Sequence, residues 1–331
     1  MPEQLTLDQI MVLRRTPGAS VLLYLTDRCP VGCAHCSVSA RKQAPALADP
    51  AGFAALVSAL ATRPGLRVVA VSGGEPFAER RGLTLSVREL ADAGLAVVVF
   101  TSGHWAGPGP VPSWIRGVLA RVSTVFLGVD AYHADRLGPD RLGQAVDAVA
   151  AAGCRVVLQL IDRPGQRERA QRLLAERLGP DWAERAELHP TRLLPFGRAA
   201  RLLPAAAGRR VTEFGPCLPA SAATVRHDGT VTGCCNEQVI TGSGPAALRR
   251  SGGGLGEALD AFLADPLLRI MARTGPGALS GLPGFERLSA GRYPSVCGAC
   301  WAAHDAVAAS PVAAAVAGAV AGAAGVDGTG P

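Results

Sequence analysis

The feature that most constrains the fold is a regular alternation of short apolar runs with stretches that suit helices. The runs are rich in Val, Leu and Ile and nearly continuous, which is typical of strands covered on both faces. The apolar runs are 21–26, 67–72, 95–101, 124–130, 155–161 and 187–194, and the helix-compatible stretches lie at about 50–62, 83–93, 112–121, 140–152 and 166–178. This alternation predicts an α/β fold of parallel βαβ units. Six repeats are too few for an eight-fold barrel, so the pattern leaves an open sheet and an incomplete barrel as alternatives.

The 331 residues leave room for one large α/β domain and a smaller one. After about residue 200 the periodicity weakens and Gly and Pro become frequent. Residues 222–234 predict a β-hairpin, because Asp228 and Gly229 lie between two alternating runs. We therefore expect four parts: an N-terminal extension at 1–20, the α/β core at 21–205, a second domain at 206–305, and a flexible Ala- and Gly-rich tail at 306–331.

Composition narrows the class of protein. The net charge is +6, but the arginines are scattered along the chain, so we expect no nucleic-acid partner. The chain opens without the pattern of a secretory signal, and no apolar run reaches the length of a membrane span. These features predict a cytoplasmic protein without a membrane partner. In that compartment, nine cysteines favour metal or redox chemistry over disulfides.

Three of the cysteines follow the first predicted strand. Cys29, Cys33 and Cys36 have the spacing C-x3-C-x2-C, at the end of the strand where parallel α/β folds place their active sites. Thiolates bind iron–sulfur clusters, and three of them on a four-iron cluster leave one iron without a protein ligand. Zinc, with His35 as a fourth ligand, is the alternative. The spacing is unusual for zinc and therefore favours the cluster.

A second motif, VSGGEP at residues 71–76, ends the second predicted strand. Gly73 and Gly74 allow a ligand to approach the backbone closely, and Glu75 adds an anionic group. Alone, the motif is compatible with an ordinary turn. It lies one βα unit after the cysteine loop, at the same end of the predicted sheet.

Together the cysteine triplet and GGEP resemble the radical S-adenosylmethionine (radical SAM) superfamily, over about residues 20–200. The resemblance implies a partial (β/α)6 TIM-like barrel with a [4Fe–4S] cluster held by the three cysteines. It also implies that the free iron binds S-adenosylmethionine (SAM). Matching the family's motifs assigns to cofactor binding the residues Gly73, Gly74, Glu75, Ser102, Asp130 and His35. His35 stands where the family usually has an aromatic residue, and Ser102 stands where it usually has Asn.

The resemblance further implies the chemistry. An electron from a reductant such as flavodoxin or ferredoxin would cleave SAM and generate a 5′-deoxyadenosyl radical, which abstracts hydrogen from an unactivated C–H bond. His133, which follows Asp130 after the fourth strand, is a candidate general base or substrate contact. Capping or surface exposure is the structural alternative for His133.

The second domain carries another group of cysteines. Four of them suit one closed site, formed by the hairpin and a later CxxC, and zinc is one possible occupant. The pattern resembles the SPASM and Twitch auxiliary domains, and the count fits the Twitch form, which implies one auxiliary [4Fe–4S] cluster. Its expected ligands are Cys217, Cys234, Cys297 and Cys300. Cys235 is then either a spare packed thiol or a catalytic hydrogen-atom donor, and whether Cys234 or Cys235 binds the cluster stays open.

Three functions remain after these inferences. The favoured one is oxidative tailoring of a natural product, by dehydrogenation or crosslinking of a small molecule or a peptide. A redox-neutral epimerase that uses Cys235 is the second, and a non-enzymatic, zinc-stabilised binding protein is the third. About 20 residues precede the first strand, too few for a separate leader-peptide domain, which favours a small-molecule substrate slightly. The substrate and the oligomeric state are not set by the sequence.

Overall fold

The computed structural model of the chain describes residues 2–204 and 206–323. The chain forms two compact units. Among the described residues, unit 1 contains 2–13, 19–203 and 225–229, and unit 2 contains 14–18, 204, 206–224 and 230–323.

Unit 1 is built on six parallel strands that follow one another in space in the order β1-β2-β3-β4-β5-β6. The strands are β1 (Ser20–Tyr24), β2 (Val68–Ser72), β3 (Ala96–Thr101), β4 (Thr124–Gly128), β5 (Arg155–Ile161) and β6 (Ala186–Thr191). Each strand begins and ends within three residues of its predicted run. The order in space equals the order in sequence, as in a partial barrel, so the α/β prediction with a partial (β/α)6 TIM-like barrel is confirmed.

One helix precedes these strands and the others connect them. They are α1 (Leu7–Arg15), α2 (Pro50–Ala61), α3 (Arg80–Asp92), α4 (Ser113–Leu119), α5 (Ala131–Leu137), α6 (Pro139–Ala151) and α7 (Gln166–Leu178). The helices α1 and α5 were not predicted. A capping box starts α1: Thr6 N–H donates to Gln9 Oε1 and Gln9 N–H donates to Thr6 Oγ1. Asp130 caps α5, accepting from the backbone N–H groups of Tyr132 and His133.

The core of unit 1 explains why the sequences of its strands are continuous apolar runs. One cluster joins Leu5 and Ile10 from the N-terminal segment to side chains of four neighbouring strands. Those side chains are Val68, Val98, Phe126 and Val157. The strand residues between them, such as Val97 and Val125, are fully buried on the other face. Both faces of the sheet are therefore covered, as the composition of the runs predicts.

Unit 2 consists of short elements. Its strands are β7 (Arg209–Arg210), β8 (Ala223–Arg226, of which 225–226 belong to unit 1), β9 (Val231–Thr232), β10 (Arg249–Arg250) and β11 (Arg292–Tyr293). Its helices are α8 (Glu237–Ile240), α9 (Leu255–Ala264), α10 (Pro266–Arg273), α11 (Glu286–Ala290), α12 (Val296–Ala309) and α13 (Pro311–Ala323). The strands β8 and β9 flank the predicted turn at Asp228 and Gly229, where Gly229 has φ +82°.

The tail expected at 306–331 is helical over most of its described part. Residues 306–309 end α12, and α13 follows after Ser310, whose hydroxyl accepts from Ala313 N–H. An alanine stripe with i, i+4 spacing, at Ala313, Ala317 and Ala321, is buried. Residues 324–331 lie outside the described residues. Within the described ranges, no helix is both long and apolar enough to span a bilayer.

Candidate functional site

The cysteine loop follows β1 at its carboxyl end. Cys33 is buried, and Cys29 and Cys36 are partly exposed; each is a free thiol. The loop turns back on itself, because Cys36 N–H donates to Cys33 C=O (3.4 Å) and Cys29 N–H donates to the Arg41 C=O (3.1 Å). Burial raises the pKa of the Cys29 thiol to about 11. A bound metal would reverse that shift, since thiols ligate as thiolates.

The GGEP segment packs directly against the start of the cysteine loop. Gly74 N–H donates to Thr26 C=O (2.6 Å), and Glu75 N–H donates to Arg28 C=O (2.8 Å). A Cβ at Gly73 would lie 2.6 Å from Thr26 O, and one at Gly74 would lie 2.4 Å from Arg28 O. Gly73 also has φ +136°. The two glycines are therefore required by the close approach of two backbones, before any ligand is considered.

The Glu75 carboxylate points into the protein, where it is 1% exposed. It accepts hydrogen bonds from Thr101 Oγ1 (2.8 Å), Ser102 N–H (2.8 Å) and Ser102 Oγ (2.5 Å), and it caps the turn at Phe77. Burial works against the charge, but the His104 imidazole and Ser102 outweigh it and hold the pKa of Glu75 below its usual range. The carboxylate thus ties the ends of β2 and β3 together.

Asp130, at the end of β4, organises a second network. Its Oδ1 caps α5, and its Oδ2 lies 2.8 Å from His133 Nδ1 and 3.3 Å from His35 Nε2. Burial disfavours the imidazolium, but the Asp130 carboxylate and the nearby Cys33 sulfur outweigh it and raise the pKa of His133 to about 10. His133 contacts both Asp130 and the cysteine loop, and the raised pKa favours its protonated form, which is unsuited to act as a general base at neutral pH.

His35 occupies the position before the third cysteine. Its ring stacks on Tyr132 (centroids 4.7 Å apart, interplanar angle 18°). Its Nδ1 is buried and has no hydrogen-bond partner among the described residues. His35, Asp130 and His133 form the one group of three or more metal-ligating side chains in the described residues whose donor atoms lie within 4.8 Å of one another. The planar ring of His35 therefore stacks at the position where the resemblance predicts an aromatic side chain.

The predicted site residues of unit 1 thus converge at the carboxyl ends of β1 to β4. The cysteine loop meets GGEP through backbone hydrogen bonds, and it meets Asp130 and His133 through His35. Sequence reasoning missed Thr101 and Tyr132 as partners. Tyr132 lies two residues after the predicted residue Asp130, whereas nothing in the local sequence marks Thr101 as a donor to Glu75.

Unit 2 brings its five cysteines together. Burial, and next the mutual proximity of the thiols, raises the pKa of each of the four predicted ligands, that of Cys217 to about 12. Those four are Cys217, Cys234, Cys297 and Cys300. Two of them share one face of α12, because Cys297 and Cys300 are three residues apart in a helix. Cys235 lies beside them, with its sulfur 2.8 Å from Arg14 Nη2. Such a group of half-buried thiols suits a metal or cluster that takes them as thiolates.

Residues 23–175 match the family model of the radical SAM superfamily. Two curated relatives, the PqqA peptide cyclases of Methylobacterium nodulans and Xanthomonas oryzae pv. oryzae (strain MAFF 311018), are 30% and 31% identical over 198 and 201 residues. The alignments cover 56% and 57% of this chain but 51% and 52% of the relatives. The chain therefore spans about half the length of the curated relatives it matches.

Two solved structures have a similar fold. Streptococcus suis SuiB bound to S-adenosylmethionine is matched over 84% of this chain and 77% of that chain, with a TM-score of 0.52 and 13% identity. Native anSMEcpe with bound AdoMet is matched over 91% of this chain and 99% of that chain, with the same TM-score and identity. At this identity the likeness concerns the fold, which agrees with the partial barrel of unit 1.

Proposed function

We propose that this chain, whose residues 23–175 match the family model of the radical SAM superfamily, is a radical SAM enzyme that oxidatively modifies a peptide. The cofactors of the superfamily are a [4Fe–4S] cluster and SAM. Together they supply, when bound, a radical able to remove hydrogen from an unactivated C–H bond. The chain's own residues bind these cofactors, orient them and exclude water.

The cysteine loop fits the cluster by its donor set. Cys29, Cys33 and Cys36 are three thiols on one loop with no disulfide to compete, and thiolates are the usual cluster ligands. Three ligands leave one iron for SAM. Gly73 and Gly74 bring the backbone of GGEP against this loop, so that its polar groups lie beside the site of the bound cofactor.

His35 and Asp130 orient the other side of the site. Asp130 holds the His35 ring by Nε2, and Tyr132 stacks on it, so the ring keeps one orientation without a ligand. The buried Nδ1 of His35 then offers a polar contact to the cofactor. We assign His35 to SAM binding, and Asp130 to the positioning of His35 and His133. The Ser102 hydroxyl donates to Glu75, so Ser102 acts through Glu75.

The thiols of unit 2 support an auxiliary [4Fe–4S] cluster held by Cys217, Cys234, Cys297 and Cys300. Four thiolates close such a cluster, and it would therefore accept or pass an electron rather than bind substrate. Oxidation of a substrate by two electrons needs an acceptor for the second electron. An auxiliary cluster supplies that acceptor, which favours the oxidative function.

The contact of Arg14 with Cys235 bears on the epimerase alternative. The Cys235 sulfur accepts a hydrogen bond from Arg14 Nη2 at 2.8 Å. A substrate radical would have to share the approach to this sulfur with the guanidinium, and this weighs against Cys235 as a donor. The zinc-stabilised binding protein loses support because residues 23–175 match a superfamily of cluster enzymes.

A peptide substrate is favoured by the curated relatives, whose name is PqqA peptide cyclase. This replaces the slight preference for a small molecule that the short N-terminal extension suggested. The test uses the anaerobically reconstituted full chain, SAM, a reductant and synthetic peptides encoded beside its gene, in D2O. A product two mass units lighter, without deuterium, supports oxidation. Deuterium incorporated at one carbon, and lost in Cys235→Ala, would establish the epimerase instead.

A further inference from the structure

The segment after β6 is hydrogen-bonded to the cysteine loop. Gly197 and Arg198 open a short 3-10 helix, Gly197–Leu202, that begins after Phe196. Arg198 N–H donates to Cys36 C=O (2.9 Å), Arg198 Nε donates to Cys33 C=O (2.9 Å), and Arg198 Nη1 donates to Ala40 C=O (2.8 Å). One residue thus holds three carbonyls of the loop, and two of them belong to cysteines.

Gly197 allows this approach. Its φ is +56°, and a Cβ there would lie 2.4 Å from Ser37 O and 2.6 Å from Cys36 O. Any larger residue would push the loop and the 3-10 helix apart. The guanidinium of Arg198 is left with a buried Nη2 that has no partner among the described residues. Its other partners are neutral carbonyls, so they leave its positive charge in place beside the loop.

We propose that Arg198 is a positioning residue that holds the cysteine loop in its ligating shape before the cluster is present, and whose charge raises the reduction potential of the bound cluster. The guanidinium fork is suited to this task, because it satisfies two carbonyls at once and stays charged. Hydrogen bonds and charge around the sulfurs are among the factors that set the potential of an iron–sulfur cluster. The effect on the reduction potential rests on the proposed function, whereas the effect on the shape of the cysteine loop does not.

The first test uses the full chain without metal. Iodoacetamide alkylation of Cys33, followed by mass spectrometry, reports how often the loop opens. Arg198→Gln removes two charge-assisted hydrogen bonds, so we expect alkylation of Cys33 to accelerate about tenfold, with Cys154 unchanged as an internal reference. Gly197→Ala should act in the same direction. Arg201→Gln, an exposed arginine of the same 3-10 helix, is the matched control and should alkylate like the wild type.

The second test uses the reconstituted full chain and bathophenanthroline disulfonate as the ferrous chelator. Iron that is released more slowly when SAM is present is assigned to the cluster of the cysteine loop. We expect Arg198→Gln to lose that iron about tenfold faster and to have a lower midpoint potential in a redox titration followed by EPR. Arg198→Lys keeps the charge but lacks the fork. It should therefore lose iron faster than the wild type while retaining its potential.

Equal alkylation and equal iron release in the wild type and Arg198→Gln would overturn the inference and leave the proposed function standing. An equally strong effect of Arg201→Gln would also overturn it, since the effect would then be unspecific. If Arg198→Gln unfolds, as judged by circular dichroism, the alkylation and iron release of Gly197→Ala and Arg198→Lys are compared with those of the wild type instead. A wild-type chain that binds no SAM-protected iron would overturn the proposed function, and the part of this inference that concerns the potential.

Discussion

The Ser102 hydroxyl donates a hydrogen bond to Glu75 Oε2 across 2.5 Å, and both side chains are almost fully buried. The motif that resembles a cofactor-binding sequence therefore uses its carboxylate inside the protein. It joins the end of β2 to the end of β3, while the backbone N–H groups of Gly74 and Glu75 hold the GGEP segment against the cysteine loop. The first prediction follows from this relationship.

Glu75→Gln should lower the free energy of unfolding by about 2 kcal/mol, because an amide nitrogen would face donors that now bond to a carboxylate. The folded-state pKa of Glu75 is held below its usual range, so its contribution is present above about pH 4.3 and is lost as the pH falls through the folded pKa. Denaturant unfolding at pH 7 and at pH 3 measures the free energy of unfolding of the wild type and of Glu75→Gln. A difference that stays constant between the two pH values would contradict the assignment.

Asp130→Asn should separate charge from capping. Asparagine still caps α5, but it no longer stabilises the imidazolium of His133. We expect the pKa of His133 in the metal-free chain to fall from about 10 towards the reference value of about 6.5. An NMR titration of the histidine ring measures this.

The raised pKa of His133 also predicts a pH dependence of stability. The contribution of His133 is fully present below about pH 6.5 and is lost as the pH rises through about 10. Asp135→Asn, an exposed change in the same helix, is the matched control. A His133 pKa unaffected by Asp130→Asn would refute the ion pair.

Gly74→Ala tests the close approach of GGEP to the cysteine loop. A Cβ 2.4 Å from Arg28 O forces the two segments apart, so we expect a loss of about 1 to 3 kcal/mol in unfolding free energy and weaker SAM binding. Gly107→Ala is the matched control, because a Cβ at Gly107 meets nothing within 4 Å, and it should change stability by less than about 0.5 kcal/mol. Isothermal titration with SAM and denaturant unfolding compare the two. Equal behaviour of both variants would count against the packing argument.

The two cysteine groups should each hold one cluster. The reconstituted wild type should contain about eight irons per chain, and Cys33→Ala or Cys300→Ala should each reduce this to about four. Cys154→Ala is the control, because its thiol is buried, donates to Leu119 C=O (3.1 Å) and has a pKa raised by burial to about 12. Iron and acid-labile sulfide analysis measures all four proteins. About four irons in the wild type would contradict the auxiliary cluster.

Most of unit 1 could be predicted from the sequence because its strands are buried on both faces and therefore apolar throughout. The cysteine triplet and GGEP could also be found, since each lies within a few residues of a strand end. The helix α5 was missed because its apolar pattern is weak, although Asp130 is a good N-cap residue. The helix α13 was missed because glycines interrupt it, although Ser310 followed by Pro311 is a helix-start signal.

The remaining features depend on contacts between distant segments. The hydrogen bond from Thr101 to Glu75 joins residues 26 positions apart, and that from Arg198 to Cys33 joins residues 165 positions apart. No local pattern encodes either pair, because the partners meet only once parallel strands place their ends side by side. The contact of Arg14 with Cys235 spans 221 positions and is of the same kind.

The central claim is that the cysteine loop supports radical SAM chemistry, and one measurement tests it most directly. The reconstituted chain is incubated with SAM and dithionite, and 5′-deoxyadenosine is measured by liquid chromatography and mass spectrometry. We expect the wild type to form 5′-deoxyadenosine and methionine, Cys154→Ala to form them equally, and Cys33→Ala to form none. A wild type that holds its iron but forms no 5′-deoxyadenosine, or a Cys33→Ala variant that forms as much as the wild type, would contradict the claim.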